Sequence, residues 1–231
     1  MGAGDREFES HVPDQLNTIK YNMTYTIIED CSPYYIRFTH PDIAKFIRIA
    51  QGVYNATKEW KRVINDVDPL FANYQLHSDA GEKLLKINEV HNNLLLRKDR
   101  VSYFVSQPGL RFRAHQDGLM EKFGINYPIK LLDDTSETCW YNDNEINNNY
   151  KIYEYTNKNE RAALEFDKTR HTPLATLKYR PNEAVLINTA IFHDFDNSRS
   201  ENERIILTLR SGELDPGNIY FDDARKQLFG I

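Results

Sequence analysis

Apolar and polar positions alternate with period two in two short early runs, residues 21–29 and 34–39. That pattern predicts two strands, joined by the turn residues Asp30-Cys31-Ser32-Pro33. The period then lengthens. Ile43, Phe46, Ile47, Ala50, Val53 and Tyr54 fall at helical spacing, so a helix is expected from Asp42 to about Asp66, with Pro41 at its start. Leu84, Leu85, Ile87, Val90, Leu94 and Leu95 predict a second helix over residues 81–97. Beyond residue 100 the strand pattern returns. Runs 101–105 and 110–114 are separated by the turn Gln107-Pro108-Gly109, and 125–129, 137–141 and 162–167 follow. Two further runs stand out: 184–188 behind the turn at 180–183, and 204–210 behind the polar turn 196–200. Residues 142–159 are the most polar stretch, expected as an exposed loop or hairpin.

Composition narrows this picture. With 231 residues, 40% of them hydrophobic, the chain can bury a full core as a single domain spanning 1–231. Fourteen tyrosines and twelve phenylalanines suit a β-rich core and an aromatic-lined pocket. The net charge of −5 argues against bulk nucleic-acid binding, and the short basic clusters at 58–62 and 97–100 read as solvated helix faces. Cys31 and Cys139 form no C-x-x-C, so neither a disulfide framework nor a zinc knuckle is indicated. The N-terminus carries no signal-peptide core, and no apolar run approaches the roughly 18 residues of a membrane span. A cytoplasmic protein is expected.

The candidate chemistry lies in the strand-rich half. His115-Gln116-Asp117 places an imidazole and a carboxylate two residues apart, on one face of an extended chain. A second histidine, His193, would complete two imidazoles and one carboxylate, the donor set of a mononuclear Fe(II) centre with open positions. Arg204, eleven residues further on, offers a permanently charged fork for a carboxylate. Parity puts Arg204, Ile206, Thr208 and Arg210 on one strand face, so Arg210 is a second candidate; Arg199, in the turn, fits less well. The plainer alternative makes Arg204 and Arg210 solvent-facing charges paired with Glu201, Glu203 or Glu213. Asp194 is expected to be exposed on the face opposite His193, and Asp196 to form the turn. His40-Pro41-Asp42 repeats the H-x-D spacing, but its proline belongs to a helix start. His171, like His40, also has partners nearby in sequence.

The order H-x-D, long gap, H, short gap, R resembles the Fe(II)- and 2-oxoglutarate-dependent oxygenase superfamily. Three stretches carry the resemblance: 110–117, 125–129 with 137–141, and 182–211, the last matching the family's final barrel strands in order and spacing. It covers roughly residues 100–215 and looks closest to small phage or bacterial oxygenases and to the aspartyl/asparaginyl hydroxylase group. It implies a mainly β, α+β fold: a double-stranded β-helix (a cupin-like jelly roll), buttressed by helices from about residues 15–100. It further implies His115, Asp117 and His193 as Fe(II) ligands, Arg204 as anchor for the cosubstrate 2-oxoglutarate, and Asn126, Tyr127 and Trp140 as pocket lining. The Arg204/Arg210 pair is similar to that of AlkB-type demethylases, where both arginines hold the cosubstrate. The implied function is hydroxylation of a C–H bond in a small molecule or peptide side chain, with succinate and CO2 as coproducts. The alternatives are an AlkB-like nucleic-acid demethylase and an inactive jelly-roll binding module.

Overall fold

The computed structural model describes residues 25–56, 62–64, 70–76, 78–87, 94, 96–112, 114–117, 122–131, 133–142, 151–154, 162–165, 172–211 and 220–231. The first strand, β1 (Thr26–Cys31), turns directly into β2 (Tyr35–Thr39), and α1 (Ile43–Ala56) follows. Residues 21–24 of the expected first strand lie outside the described residues. The first helix is shorter than its apolar spacing suggests. Arg62–Ile64 is a strand, β3, paired antiparallel with β4 (Phe71–Gln75). Val63 and Ile64 are β-branched, and a free sheet edge captures them over weak helix propensity. The second helix, α2, covers Ser78–Ile87 instead of 81–97. Leu96 and Arg97 belong to β5 (Leu96–Ser106), and Ile87, expected inward, is 45% exposed.

The remaining strands are β6 (Phe123–Lys130), β7 (Glu137–Trp140), β8 (Lys151–Glu154), β9 (Ala162–Glu165), β10 (Ala175–Lys178), β11 (Ala184–Asn188), β12 (His193–Asp196) and β13 (Arg204–Ser211). A third helix, α3 (Phe221–Phe229), ends on Gly230 in the left-handed conformation that glycine tolerates. The polar 142–159 stretch contains β8, which forms a hairpin with β9.

Eight strands form one sheet in the order β1-β2-β11-β6-β13-β5-β4-β3, and three form a second in the order β10-β7-β12. Residues 110–117 extend the second sheet along β12 through isolated bridges at Arg111 and His115, not through the regular strand expected at 110–114. The two sheets face one another as a double-stranded β-helix.

Strand parity then builds two cores. Ile36, Phe38, Leu186, Ile205, Leu207 and Leu209 point outward to meet Phe46, Leu84, Leu85, Phe221 and Leu228 of the helices. Tyr35, Val185, Ile187 and Ile206 point inward to meet Trp140, Leu177 and Tyr179 of the second sheet. The helices therefore buttress the large sheet from outside, as expected of the N-terminal pair, with α3 added from the C-terminus. Among the described residues, no helix is long and apolar enough to cross a membrane.

His40 sits in the outer layer, 4% exposed, edge-on to Tyr25 and Tyr127. Neither ring nitrogen has a hydrogen-bond partner among the described residues. Burial pushes its pKa below the usual 6.5, against a smaller opposing pull from Asp42. Because the folded value is depressed, the neutral ring's contribution is present above about pH 6.5 and is lost as pH falls through the folded value. The melting temperature should therefore fall between about pH 7.5 and 5.5. The fall should be smaller in His40→Phe; identical pH profiles would show that His40 does not govern it.

Candidate metal centre

The run 110–117 is laid beside β12 by a ladder of backbone bonds. Phe112 N–H donates to the Phe195 carbonyl at 2.9 Å, and Asp117 N–H to the Thr189 carbonyl at 3.0 Å. His115 and His193 exchange both bonds, at 2.8 and 2.9 Å. Such a reciprocal pair sets two residues directly opposite each other on one face. Their rings approach to 4.6 Å between centroids. His115 Nε2 lies 3.6 Å from Asp117 Oδ1, and one donor atom from each of His115, Asp117 and His193 falls within 4.8 Å of the others. The spacing read in the sequence thus converges in space on a group that can hold a metal ion.

The local chemistry fits that use. His193 Nδ1 lies 2.9 Å from the Ile191 carbonyl. An N–H donated there leaves the Nε2 lone pair for a metal and fixes the ring's orientation. The side chains of His115 and Asp117 are only partly covered, 18% and 9% exposed, so the group is reachable from one side. Trp140 packs at 6.4 Å from the His193 ring and stacks on Tyr35 at 5.3 Å, while its Nε1 donates to the Asn188 carbonyl. It is a wall beside the three candidate ligands.

Asp194 corrects one expectation. It does face away from His193, but it is 1% exposed: Tyr141 covers it and donates to its Oδ2 at 2.8 Å. Burial, and then the Asp194 charge, push the Tyr141 phenol far up, so it remains a donor. The sheet's outer face at this point is an apolar patch of Ala114, Cys139, Tyr141 and Phe192, which alternation alone does not reveal. Asp196 Oδ1 accepts the Ser198 N–H and starts the turn, as its position suggests. Asp42 remains at the α1 start beside His40, and His171 lies outside the described residues.

Arg204 points into the barrel and is 5% exposed. Its Nη1 donates to Ser136 Oγ at 3.0 Å, and its guanidinium carbon lies 5.2 Å from the Phe195 ring and 5.4 Å from the Tyr179 ring. Among the described residues no carboxylate forms an ion pair with it, and its Nε has no hydrogen-bond partner. Burial pushes its pKa down, opposed by Tyr179, Asp194 and Asp196. Asp194 and Asp196 act on it only from beyond ion-pair distance, and a buried guanidinium with no carboxylate in direct contact favours an incoming anion. Asn126 completes this floor: its Nδ2 donates to Tyr179 Oη at 2.7 Å, and its Oδ1 is buried without a partner.

Arg210 lies inward on the same strand, buried, with its guanidinium 4.9 Å from the Phe104 ring. The solvent-facing account of both arginines fails on their burial, and Glu203 instead binds Lys130 and Gln107. Arg199 is exposed and paired with Glu137, away from the interior. Tyr127 is not pocket lining. It alternates with Asn126, so it faces outward, where its ring meets Phe46 at 4.8 Å. Ser136 and Tyr179 did not emerge from the sequence. The alternation Ala175, Leu177, Tyr179, all buried, is the signal that points to the second.

No family model matches the chain, and a search of curated proteins finds no match. Solved structures do match. One is the epimerase SnoN in complex with Fe3+, alpha ketoglutarate and nogalamycin RO, with a TM-score of 0.52 and 8% identity over 78% of each chain. Another is described as the non-heme alpha ketoglutarate dependent epimerase SnoN from nogalamycin biosynthesis, with a TM-score of 0.50 and 8% identity, over 78% of this chain and 76% of that one. At such identity the likeness establishes a shared fold.

Proposed function

We propose that this chain is an Fe(II)- and 2-oxoglutarate-dependent dioxygenase that hydroxylates a C–H bond of a small molecule or peptide side chain. One observation carries the reading. A buried guanidinium, Arg204, with no ion pair among the described residues, faces the same interior as a cluster of two imidazoles and a carboxylate. The cluster suits Fe(II) with open cis positions, and the guanidinium suits the far carboxylate of a keto diacid. Phe195, on which Arg204 rests, lies two residues beyond His193 on the same strand face, a step of about 7 Å. A short dicarboxylate bridges such a step; a monocarboxylate of the same chain length leaves Arg204 unpaired.

Held by His115, Asp117 and His193, Fe(II) would activate O2, the oxidant: one oxygen atom would end in the hydroxylated product and the other in the succinate formed, with CO2, from 2-oxoglutarate. The chain's own residues perform the rest. His115, Asp117 and His193 would hold the ion, and the Ile191 carbonyl fixes the orientation of the His193 ring. Arg204 fixes the far end of the cosubstrate in a buried setting where a charge pair is strong. Trp140, Tyr35 and Tyr179 keep the inner wall dry.

Anaerobic addition of Fe(II) and then 2-oxoglutarate should give the visible charge-transfer band of the chelate, and its absence would overturn the reading. In the same titration Arg204→Ala should weaken 2-oxoglutarate by about 100-fold, as expected for loss of a buried charge pair, and Arg210→Ala by less than about tenfold. Epimerisation, the activity named for SnoN, inverts a centre and leaves no new oxygen in the product. Incorporation of 18O from labelled O2 into the product separates hydroxylation from inversion.

A further inference from the structure

One position on the inner wall of the large sheet carries no side chain. Gly124 pairs with Ile187 on one side and with Arg210 on the other, and Ile187 pairs in turn with Tyr35. Tyr35, Ile187, Gly124 and Arg210 therefore form one inward row across β2, β11, β6 and β13. That row lies level with the candidate ligands, because Trp140 stacks on Tyr35 and is the register partner of His193. Arg204, whose guanidinium rests on Phe195, is set deeper.

Gly124 serves no turn. It lies within β6, and the positive-φ glycines among the described residues are Gly109 and Gly230. Glycine inside a strand weakens it and is often found where a ligand comes close to the backbone. A Cβ at Gly124 would meet Thr208 Cγ2 at 3.5 Å and Ile187 Cγ1 at 3.6 Å, so it would point inward. A methyl group fits there; a larger side chain enters the interior. Ile187 and Arg210 stand two strand spacings apart, about 10 Å, with this gap between them. One side of the gap is apolar, and the other is the Arg210 guanidinium, held 4.9 Å from the Phe104 ring. Beside it Thr208 is 2% exposed, and its Oγ1 has no hydrogen-bond partner among the described residues.

We propose that this gap receives the substrate, and that the substrate is a small apolar molecule carrying a carboxylate. This rests on the function proposed above and adds to it a substrate class and the residues that select it. The two arginines of β13 then divide the work: Arg204 takes the cosubstrate and Arg210 the substrate. A guanidinium presents its N–H donors in a planar fork, which suits a carboxylate, binds a neutral amide less strongly and repels an ammonium group. An apolar body placed against Ile187 fills the space that Gly124 leaves, and the Thr208 hydroxyl is placed to donate to a carboxylate oxygen.

The test uses the Fe(II)-loaded protein, anaerobic and saturated with 2-oxoglutarate, titrated calorimetrically with hexanoate, hexanamide and hexylamine. Hexanoate should bind at least about tenfold more tightly than hexanamide, and hexylamine more weakly than either. Arg210→Gln should bring hexanoate within about threefold of hexanamide. Gly124→Val should weaken hexanoate at least about tenfold, while the charge-transfer band of the 2-oxoglutarate chelate keeps its titration midpoint within about threefold. Gly124→Ala should fall between wild type and Gly124→Val, and it carries the volume test if the valine variant does not fold, as thermal unfolding will show. Equal binding of the three probes, no hexanoate binding at millimolar concentration, or a hexanoate preference that survives in Arg210→Gln overturns the proposal. Hexanoate that displaces 2-oxoglutarate, or a folded Gly124→Val protein that loses both together, also overturns it, because the gap would then hold the cosubstrate. Each of these outcomes leaves the oxygenase reading intact, whereas no chelate band in wild type sinks both.

Discussion

His193→Ala is expected to abolish turnover and the keto-acid charge-transfer band while leaving the barrel folded. Losing an outer partner of a metal ligand typically weakens metal binding about 10–100-fold, and losing the ligand itself exceeds that. His193 is also the best-fixed member of the set. Its backbone is bonded on both sides to His115, and its ring is tied to the Ile191 carbonyl. An alanine keeps those backbone bonds, so the strand should remain in place. Metal analysis after Fe(II) loading and gel filtration, together with the melting temperature, separates the two effects. Retention of stoichiometric iron by a folded His193→Ala protein would remove this histidine from the site.

The second large effect belongs to a residue that touches no ligand. Asn197 is fully buried, and its Nδ2 lies 3.1, 3.1 and 2.9 Å from the carbonyls of Ser106, Gln107 and Asn202. Its backbone N–H donates to the Leu110 carbonyl. One side chain thus ties the end of β5, the turn into the ligand run and the loop that delivers Arg204. Asn197→Ala should cost about 1–3 kcal/mol, because it removes an amide shared by three carbonyls, although Gln107 keeps the Leu110 N–H and Asn202 the Ser200 hydroxyl. Asn197→Asp should be no better, since it turns carboxylate oxygens toward carbonyl oxygens. The urea midpoint reads the loss. A change under about 0.5 kcal/mol would mean that water replaces the amide.

The convergence of His115, Asp117 and His193 was legible because it depends on strand parity and short spacings. His115 and Asp117 needed only an extended backbone, and the 204–211 alternation places Arg204 inward with Ile206 while Ile205 and Leu207 meet the helices. What escaped depends on partners distant in sequence. Arg62–Ile64 became a strand because β4 offered an edge, and Leu96 joined β5 because β13 pairs there through a bulge. The exposure expected for Asp194 failed because Tyr141, fifty-three residues away, closes over it. Tyr179 lies beyond the end of a four-residue strand, too short for its alternation to stand out. Asn126 and Tyr127 were both placed in the pocket, although adjacent strand residues cannot share a face.

The alternation of β13 has a consequence for heredity. Its even positions from 204 to 210 serve the interior, and its odd positions from 205 to 209 serve the helix layer. Inserting or deleting one residue there would drive two guanidinium groups into hydrocarbon and three aliphatic side chains into the barrel interior. No gradual route runs through such a frame change. The sequence of this strand can drift by substitution but is shielded from changes in length, whereas β8 and β9, in and after the polar stretch, pair with each other in a separate two-stranded sheet. Lineages of this fold should therefore diversify by lengthening that stretch while β13 keeps its count.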